Sequence, residues 1–124
     1  AEAALETGKA WFIGVDSDQE LTLSSDLAAI TLTSGLKNIG NSLVWFFDEL
    51  DAGNEYWGTE VTLGLAEGGV GIVTDKNFAT YASDDTKAAV TEAQEKVLSG
   101  EIVVPTAIGD NAVDVVAIRE EVRP

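Results

Sequence analysis

The run Gly14-Val15-Asp16-Ser17-Asp18-Gln19 decides how the chain reads. It closes an apolar stretch, Trp11-Phe12-Ile13, with a glycine and then two carboxylates. A buried parallel strand looks like this where it delivers polar groups to its C-terminal edge, and in open α/β sheets that edge is where ligands bind. About one helix-length later, Leu32-Thr33-Ser34-Gly35-Leu36-Lys37-Asn38 ends another apolar run with hydroxyls and a lone lysine. Two strand ends of opposite charge in one acidic chain point to a single polar pocket.

Working outward, residues 2–8 read as the end of a helix with Gly8 as its C′ residue. With no Met at position 1, the expectation is a chain that starts partway through a longer protein. Ala10 to Val15 predicts a strand without period-2 alternation, and so covered on both faces. Residues 16–26 read as a polar loop carrying Asp16, Asp18, Glu20 and Asp26. Ala28 to Leu32 reads as a second strand, because Ile30, Thr31 and Leu32 suit a pleated, buried surface.

From about Leu36 to Ala52 the period turns helical, with Leu36, Ile39, Leu43, Phe46 or Phe47, and Leu50 on one stripe. Val44 and Trp45 make that stripe too wide for a simple amphipathic helix. Either the helix packs on two sides, or it meets a partner this chain lacks. A strand is expected at about Glu60 to Leu65, followed by the glycine-rich turn 64–71 and a short apolar run, Ile72-Val73. Asp84 or Asp85 is positioned to cap a helix from about Thr86 to Ser99, closed by Gly100. Ala89, Ala93 and Val97 would form its buried stripe, and Glu92 and Lys96 an i,i+4 pair. Ile102-Val103-Val104 runs into Pro105, and Val113 to Ile118 reads as a last strand or extended segment. No repeat, low-complexity segment or linker divides the 124 residues, a length that suits one domain.

Composition narrows the chemistry. Cys, His and Met are absent, which removes thiol nucleophiles, imidazole acid/base work and Cys or His metal sites. Net charge is −15, from 22 acidic and 7 basic residues, so nucleic acid and anionic membrane surfaces are poor partners. The acids are spread along the chain rather than gathered in a tail. This suggests a protein adapted to high salt, in which screening relieves the self-repulsion. No apolar run approaches the ~20 residues that span a bilayer.

Asp16, Asp18 and Lys37 are the leading candidates for function. A carboxylate at a strand end can accept two hydroxyl hydrogen bonds, as a ribose or sugar diol would supply. Lys37 could donate to a further oxygen or keep the carboxylate ionised. The plainer alternative is that Asp16 caps a turn and Lys37 is solvated. The glycine-rich turn tempts a reading as a phosphate cradle, but its details disagree. From Gly69 a G-x-G-x-x-G reading ends on Thr74, and from Gly64 a P-loop reading puts Val70 where the lysine belongs. Its glycines instead suit positive φ and close approach of backbone to another element or a ligand. Trp45, Phe46, Phe47, Tyr56 and Trp57 could stack on a base, though at helical spacing they read as core or interface. A second class of function keeps Asp16 and Asp18 as hard oxygen ligands for Mg²⁺, with Ser34 and Lys37 as phosphate partners, in a standalone α/β switch domain. Ser34 and Lys37 lie on one element, which argues against that geometry.

Four segments at 14–19, 32–38, 63–71 (Leu-Gly-Leu-Ala-Glu-Gly-Gly-Val-Gly) and 99–105 (Ser-Gly-Glu-Ile-Val-Val-Pro) resemble, in order and spacing, the C-terminal part of the BMP family. These are the PnrA-like basic membrane lipoproteins, substrate-binding proteins of ABC transporters, and the resemblance covers roughly residues 1–105. It implies an α/β fold, the C-terminal part of a class I periplasmic-binding-protein fold: a parallel sheet flanked by helices, with hinge crossovers between two lobes. Residues 1–31 and about 60–124 would belong to the second lobe, and about 32–59 to a crossover and a first-lobe helix. The resemblance implies binding without catalysis, no cofactor and no metal. The ligand would be a purine nucleoside or similar solute and the partner an ABC transporter permease. The location would be extracytoplasmic, at the cell surface or in the periplasm, through an N-terminal lipid anchor absent from this chain. Asp16 resembles the carboxylate that holds the ribose hydroxyls, and Lys37 a nearby ligand-contacting lysine. With Asp18, Ser34 and Gly69 they make the candidate ligand-binding set.

Overall fold

The computed structural model describes residues 1–106 and 112–123. Three strands form one sheet in the order β1-β2-β3: β1 (Phe12–Asp16), β2 (Thr31–Lys37) and β3 (Val70–Ile72). The pairing of β1 with β2 is parallel, from Phe12 opposite Thr31 to Asp16 opposite Leu36, and β3 runs antiparallel to β2 with Gly35 opposite Ile72. Both parallel strands therefore end on the same edge, β1 with Asp16 and β2 with Lys37.

Helix α1 (Glu2–Thr7) closes at Gly8, whose φ of 60° and double backbone cap are those of a C′ glycine. Between β1 and β2 lie a single 3-10 turn (Gln19–Leu21) and helix α2 (Ser25–Ala29). The second strand thus begins and ends later than the 28–32 expected, and Leu36, read as the start of the helical stripe, belongs to β2. Thr31 Oγ1 donates to the Leu27 carbonyl at 2.8 Å, which ties the end of α2 to the start of β2. Helix α3 (Ile39–Asp51) follows β2 directly, and helices α4 (Lys76–Tyr81), α5 (Asp84–Leu98) and α6 (Val115–Glu121) follow β3.

Four other expectations are corrected. Residues 60–64 form no strand. Gly64 N donates to Glu67 Oε2 at 2.7 Å and Gly69 N to the Gly64 carbonyl at 2.9 Å, so the segment closes on itself. The N-cap of α5 is Ser83, whose hydroxyl accepts from Thr86 N at 3.1 Å, and not Asp84 or Asp85. On α5 the half-buried positions include Val90, Gln94 and Val97, while Ala89 and Ala93 are exposed. Residues 115–121 are helical, because Asp114 accepts from Ala117 N and a helix satisfies its own backbone where no strand offers a partner. The run Ile102 to Val104 lies outside any strand, and Val103 is largely exposed.

Among the described residues the buried core is small. Val73, Phe78 and Ala82 supply its apolar part, and Thr31 and Ser34 are fully buried. Phe78 belongs to α4, a short helix that no sequence pattern signalled. Asn77 holds α4 in place, its Nδ2 donating at 2.9 Å to the carbonyls of both Ala28 and Thr31. The expected two-sided cover of β1 is not seen: Ile13 and Val15 are both more than 60% exposed. On α3 the covered side carries Trp45, Phe46 and Leu50, with Trp45 packed on Tyr56 and Phe46 on Trp57. Ile39, Leu43, Val44 and Phe47 face solvent. Apolar side chains thus stay exposed on both a strand and a helix.

Candidate functional site

The shared edge of β1 and β2 gathers the charged residues singled out in the sequence. Lys37 Nζ stands 3.1 Å from Asp16 Oδ1, and both side chains are about two-thirds exposed, at 61% and 68%. The pair faces outward, so its remaining hydrogen-bonding capacity is available to a ligand. Asp16 adopts φ 72°, one of two non-glycine residues with positive φ among those described. An aspartate tolerates that region better than most residues, yet it remains a strained conformation that the surroundings must hold.

What holds it is the segment just after. Gln19 N donates to Ser34 Oγ at 3.1 Å, and Gln19 Nε2 reaches back to the Val15 carbonyl at 3.0 Å. Asp18 Oδ1 caps the 3-10 turn by accepting from Glu20 N, while its other oxygen takes the ammonium of Lys76. Ser34 is buried beneath the loop, close to Gly14. A side chain at position 14 would drive its Cβ into the Ser34 hydroxyl, which is why a glycine precedes the Val-Asp pair.

The candidate residues thus fall into two groups. The structure brings Asp16 and Lys37 together on the open edge. Asp18 and Ser34 lie beside them, with their polar atoms engaged in shaping the loop. Gly69 sits on the other side of Lys37. It is buried, and a Cβ there would stand 2.7 Å from Leu63 atoms, so backbone packs against backbone at this point. The Gly69 carbonyl accepts from Asn38 N at 2.8 Å, and the Gly68 carbonyl accepts from Nδ2 of both Asn38 and Asn41. The glycine-rich turn is thereby tied to the junction of β2 and α3, in keeping with the expected close approach.

Lys76 is the residue the sequence reading missed. It lies 58 positions from Asp18, on a helix with no visible signal, in the plain run Thr74-Asp75-Lys76-Asn77. Its pKa is raised above the ordinary lysine value, chiefly by the hydrogen bond to Asp18, with partial desolvation opposing and the charges of Asp18 and Asp75 adding. Away from this edge, Tyr56 donates to Glu49 Oε2 at 3.0 Å, which raises the phenol above its usual value. No group of three or more His, Cys, Asp or Glu suited to a metal occurs among the described residues.

The shared edge of the two parallel strands thus presents an acid and a base in the open, and ligands of open α/β sheets bind at such edges. The chain belongs to the Bmp family, described as PnrA-like ABC transporter substrate-binding proteins, whose profile matches residues 1–107. It is 32% identical over 106 residues to the ABC transporter nucleoside-binding protein BmpA of Lactococcus lactis subsp. cremoris (strain MG1363), a match covering 82% of this chain and 29% of that protein. Among solved structures it is similar to an ABC transporter solute-binding protein from Aeropyrum pernix K1 (TM-score 0.63, 23% identity, 97% of this chain and 39% of that one). A second, from Conexibacter woesei DSM 14684, has TM-score 0.58 and 23% identity over 84% of this chain and 33% of that one. These likenesses bear out the α/β periplasmic-binding-protein fold. The chain spans about a third of the length of the relatives it matches. No helix among the described residues is long and apolar enough to cross a membrane.

Proposed function

We propose that this chain is part of an extracytoplasmic solute-binding component of an ABC importer, which takes a purine nucleoside or similar solute into a cleft between two lobes. The observation that carries the reading is the open ion pair of Asp16 and Lys37 at the ends of adjacent parallel strands. Asp16 accepts the paired hydroxyls of a ribose, and Lys37 donates to a further oxygen of the solute. Asp18, Ser34 and Gly69 support the site by shaping the loop and the turn on either side. The Lactococcus relative is a nucleoside-binding protein by name, which supports the choice of solute class.

In this reading residues 1–31 and about 60–124 lie in the second lobe, and about 32–59 form a crossover and a helix of the first. Polypeptide beyond this chain then covers the exposed faces of β1 and α3. The mechanism is binding followed by hinge closure and delivery to a permease, with no bond made or broken. A lipid anchor on the full-length protein holds it at the cell surface or in the periplasm.

Calorimetry of the full-length protein with guanosine, adenosine and inosine tests the proposal. Saturable binding of at least one, lost in Asp16→Ala, is expected; no affinity for any of them overturns the solute assignment. The Mg²⁺ switch reading is disfavoured by the salt bridge that occupies Asp18 and by the burial of Ser34.

A further inference from the structure

We infer that Lys76 is a positioning residue for the solute-binding edge, clamping Asp18 so that the loop after β1 presents the Asp16 carboxylate beside Lys37. The inference rests on the reading of Asp16 and Lys37 as the solute-facing pair. Among the described residues only Asp16 and Lys76 combine a side chain with positive φ, at 72° and 48°. They are joined through Asp18, two residues from the first and salt-bridged to the second. Two strained backbones linked by one ion pair are unlike an incidental surface contact. Sterically costly conformations persist where their surroundings over-determine them, and they concentrate at binding sites.

The geometry explains how the clamp works. Asp18 is doubly engaged, one oxygen capping the 3-10 turn through Glu20 N and the other held by Lys76. Its side chain is only 18% exposed and that of Lys76 33%, so this pair is shielded far more than the open pair of Asp16 and Lys37. Lys76 stands at the start of α4, and α4 is fixed to the sheet by Asn77 and by buried Phe78. The clamp therefore joins the loop to a rigid element. Ser34 secures the same loop from beneath at Gln19. Without Lys76 the Asp18 carboxylate keeps only its bond to Glu20 N, and the loosened loop lets Asp16 relax toward negative φ and carry its carboxylate away from Lys37.

The test uses the full-length protein, with guanosine as the probe in calorimetry and backbone amide exchange as a second readout. Lys76→Met keeps the aliphatic stem and removes the charge. It is expected to weaken guanosine binding about tenfold through lost preorganisation, and to speed exchange at the Gln19 and Glu20 amides. Lys76→Arg is expected to restore both. Unchanged exchange at those amides in Lys76→Met overturns the inference, and so does wild-type guanosine affinity in that variant. Failure of the arginine variant to rescue would equally reject a clamp made by charge. If the wild-type protein binds no guanosine, the nucleoside reading falls and the amide exchange decides the clamp by itself.

Discussion

Asp16 and Lys37 meet at 3.1 Å across the tips of two parallel strands, and neither is buried. An exposed ion pair of this kind contributes less than about 1 kcal/mol to folding, because water already satisfies both partners. At the shared edge of the two strands it adds little to stability and keeps hydrogen-bonding capacity open, as the proposed ligand-binding role requires.

The first prediction follows directly. In the full-length protein, Asp16→Ala should weaken nucleoside binding by about 2–3 kcal/mol, roughly 30- to 150-fold in Kd, because hydrogen bonds to a charged acceptor are lost from a closed cleft. The melting temperature should hardly move. Calorimetry and a thermal melt of the same variant separate the two effects, and a large loss of Tm with unchanged Kd would reverse the assignment.

Gly69→Ala should act in the opposite manner, on the fold first. The added Cβ would come within 2.7 Å of the Leu63 side chain and carbonyl, where backbone cannot easily yield. Overpacking of this type costs about 1–3 kcal/mol. Denaturant unfolding should show a lowered midpoint with an unchanged slope. Since Gly69 accepts from Asn38 N just after Lys37, binding should weaken as well.

Much of the edge was legible in the primary structure because it depends on local chemistry. Gly14 followed by acidic residues, and a lysine closing the next strand, are visible within short windows. The Gly8 terminus announced itself by its glycine, the helix at 39–51 by its apolar period, and the helix at 84–98 by the Gly100 that closes it, though its N-cap and buried stripe were misplaced. The errors came where long-range pairing decides. Residues 60–65 have a strand-like composition, but Glu67 and Gly69 fold them back. Val113 to Ile118 looks extended until Asp114 caps it as a helix. Lys76 escaped notice because its partner lies in another part of the chain, and no spacing rule connects Asp18 to a lysine 58 residues away. The exposed stripe of Leu43, Val44 and Phe47 was visible as excess apolarity.

The alkaline limit of stability should carry the signature of two groups. Lys76 is held above its ordinary 10.5, first by the hydrogen bond to Asp18, and Tyr56 above 10.0, first by that to Glu49. In each case the folded state binds the proton more tightly than the unfolded chain. Their stabilisation is complete below the unfolded values and disappears as pH rises through the folded ones. Neither should contribute any slope between about pH 6 and 9. Asp18→Asn and Glu49→Gln should each flatten part of the decline seen above pH 10, and near-ultraviolet phenolate absorbance should show Tyr56 ionising earlier in Glu49→Gln.

Salt should stabilise this protein. With 22 acidic against 7 basic residues, the folded state concentrates a net charge of −15 that the expanded chain spreads out. The few cations are largely committed to local pairs: Lys37 to Asp16, Lys76 to Asp18, Lys96 to Glu92 at 2.8 Å and Arg123 to Glu120 at 3.2 Å. They leave the general repulsion in place. Raising the ionic strength from about 0.1 M to 1 M shortens the screening length from roughly 10 to 3 Å, below the spacing of most surface charges. Repulsion then falls while the short pairs retain contact. The melting temperature should climb steadily with NaCl over that range, and KCl should act similarly if screening is the cause. A melting curve indifferent to either salt would remove high-salt adaptation as the explanation for the acid excess.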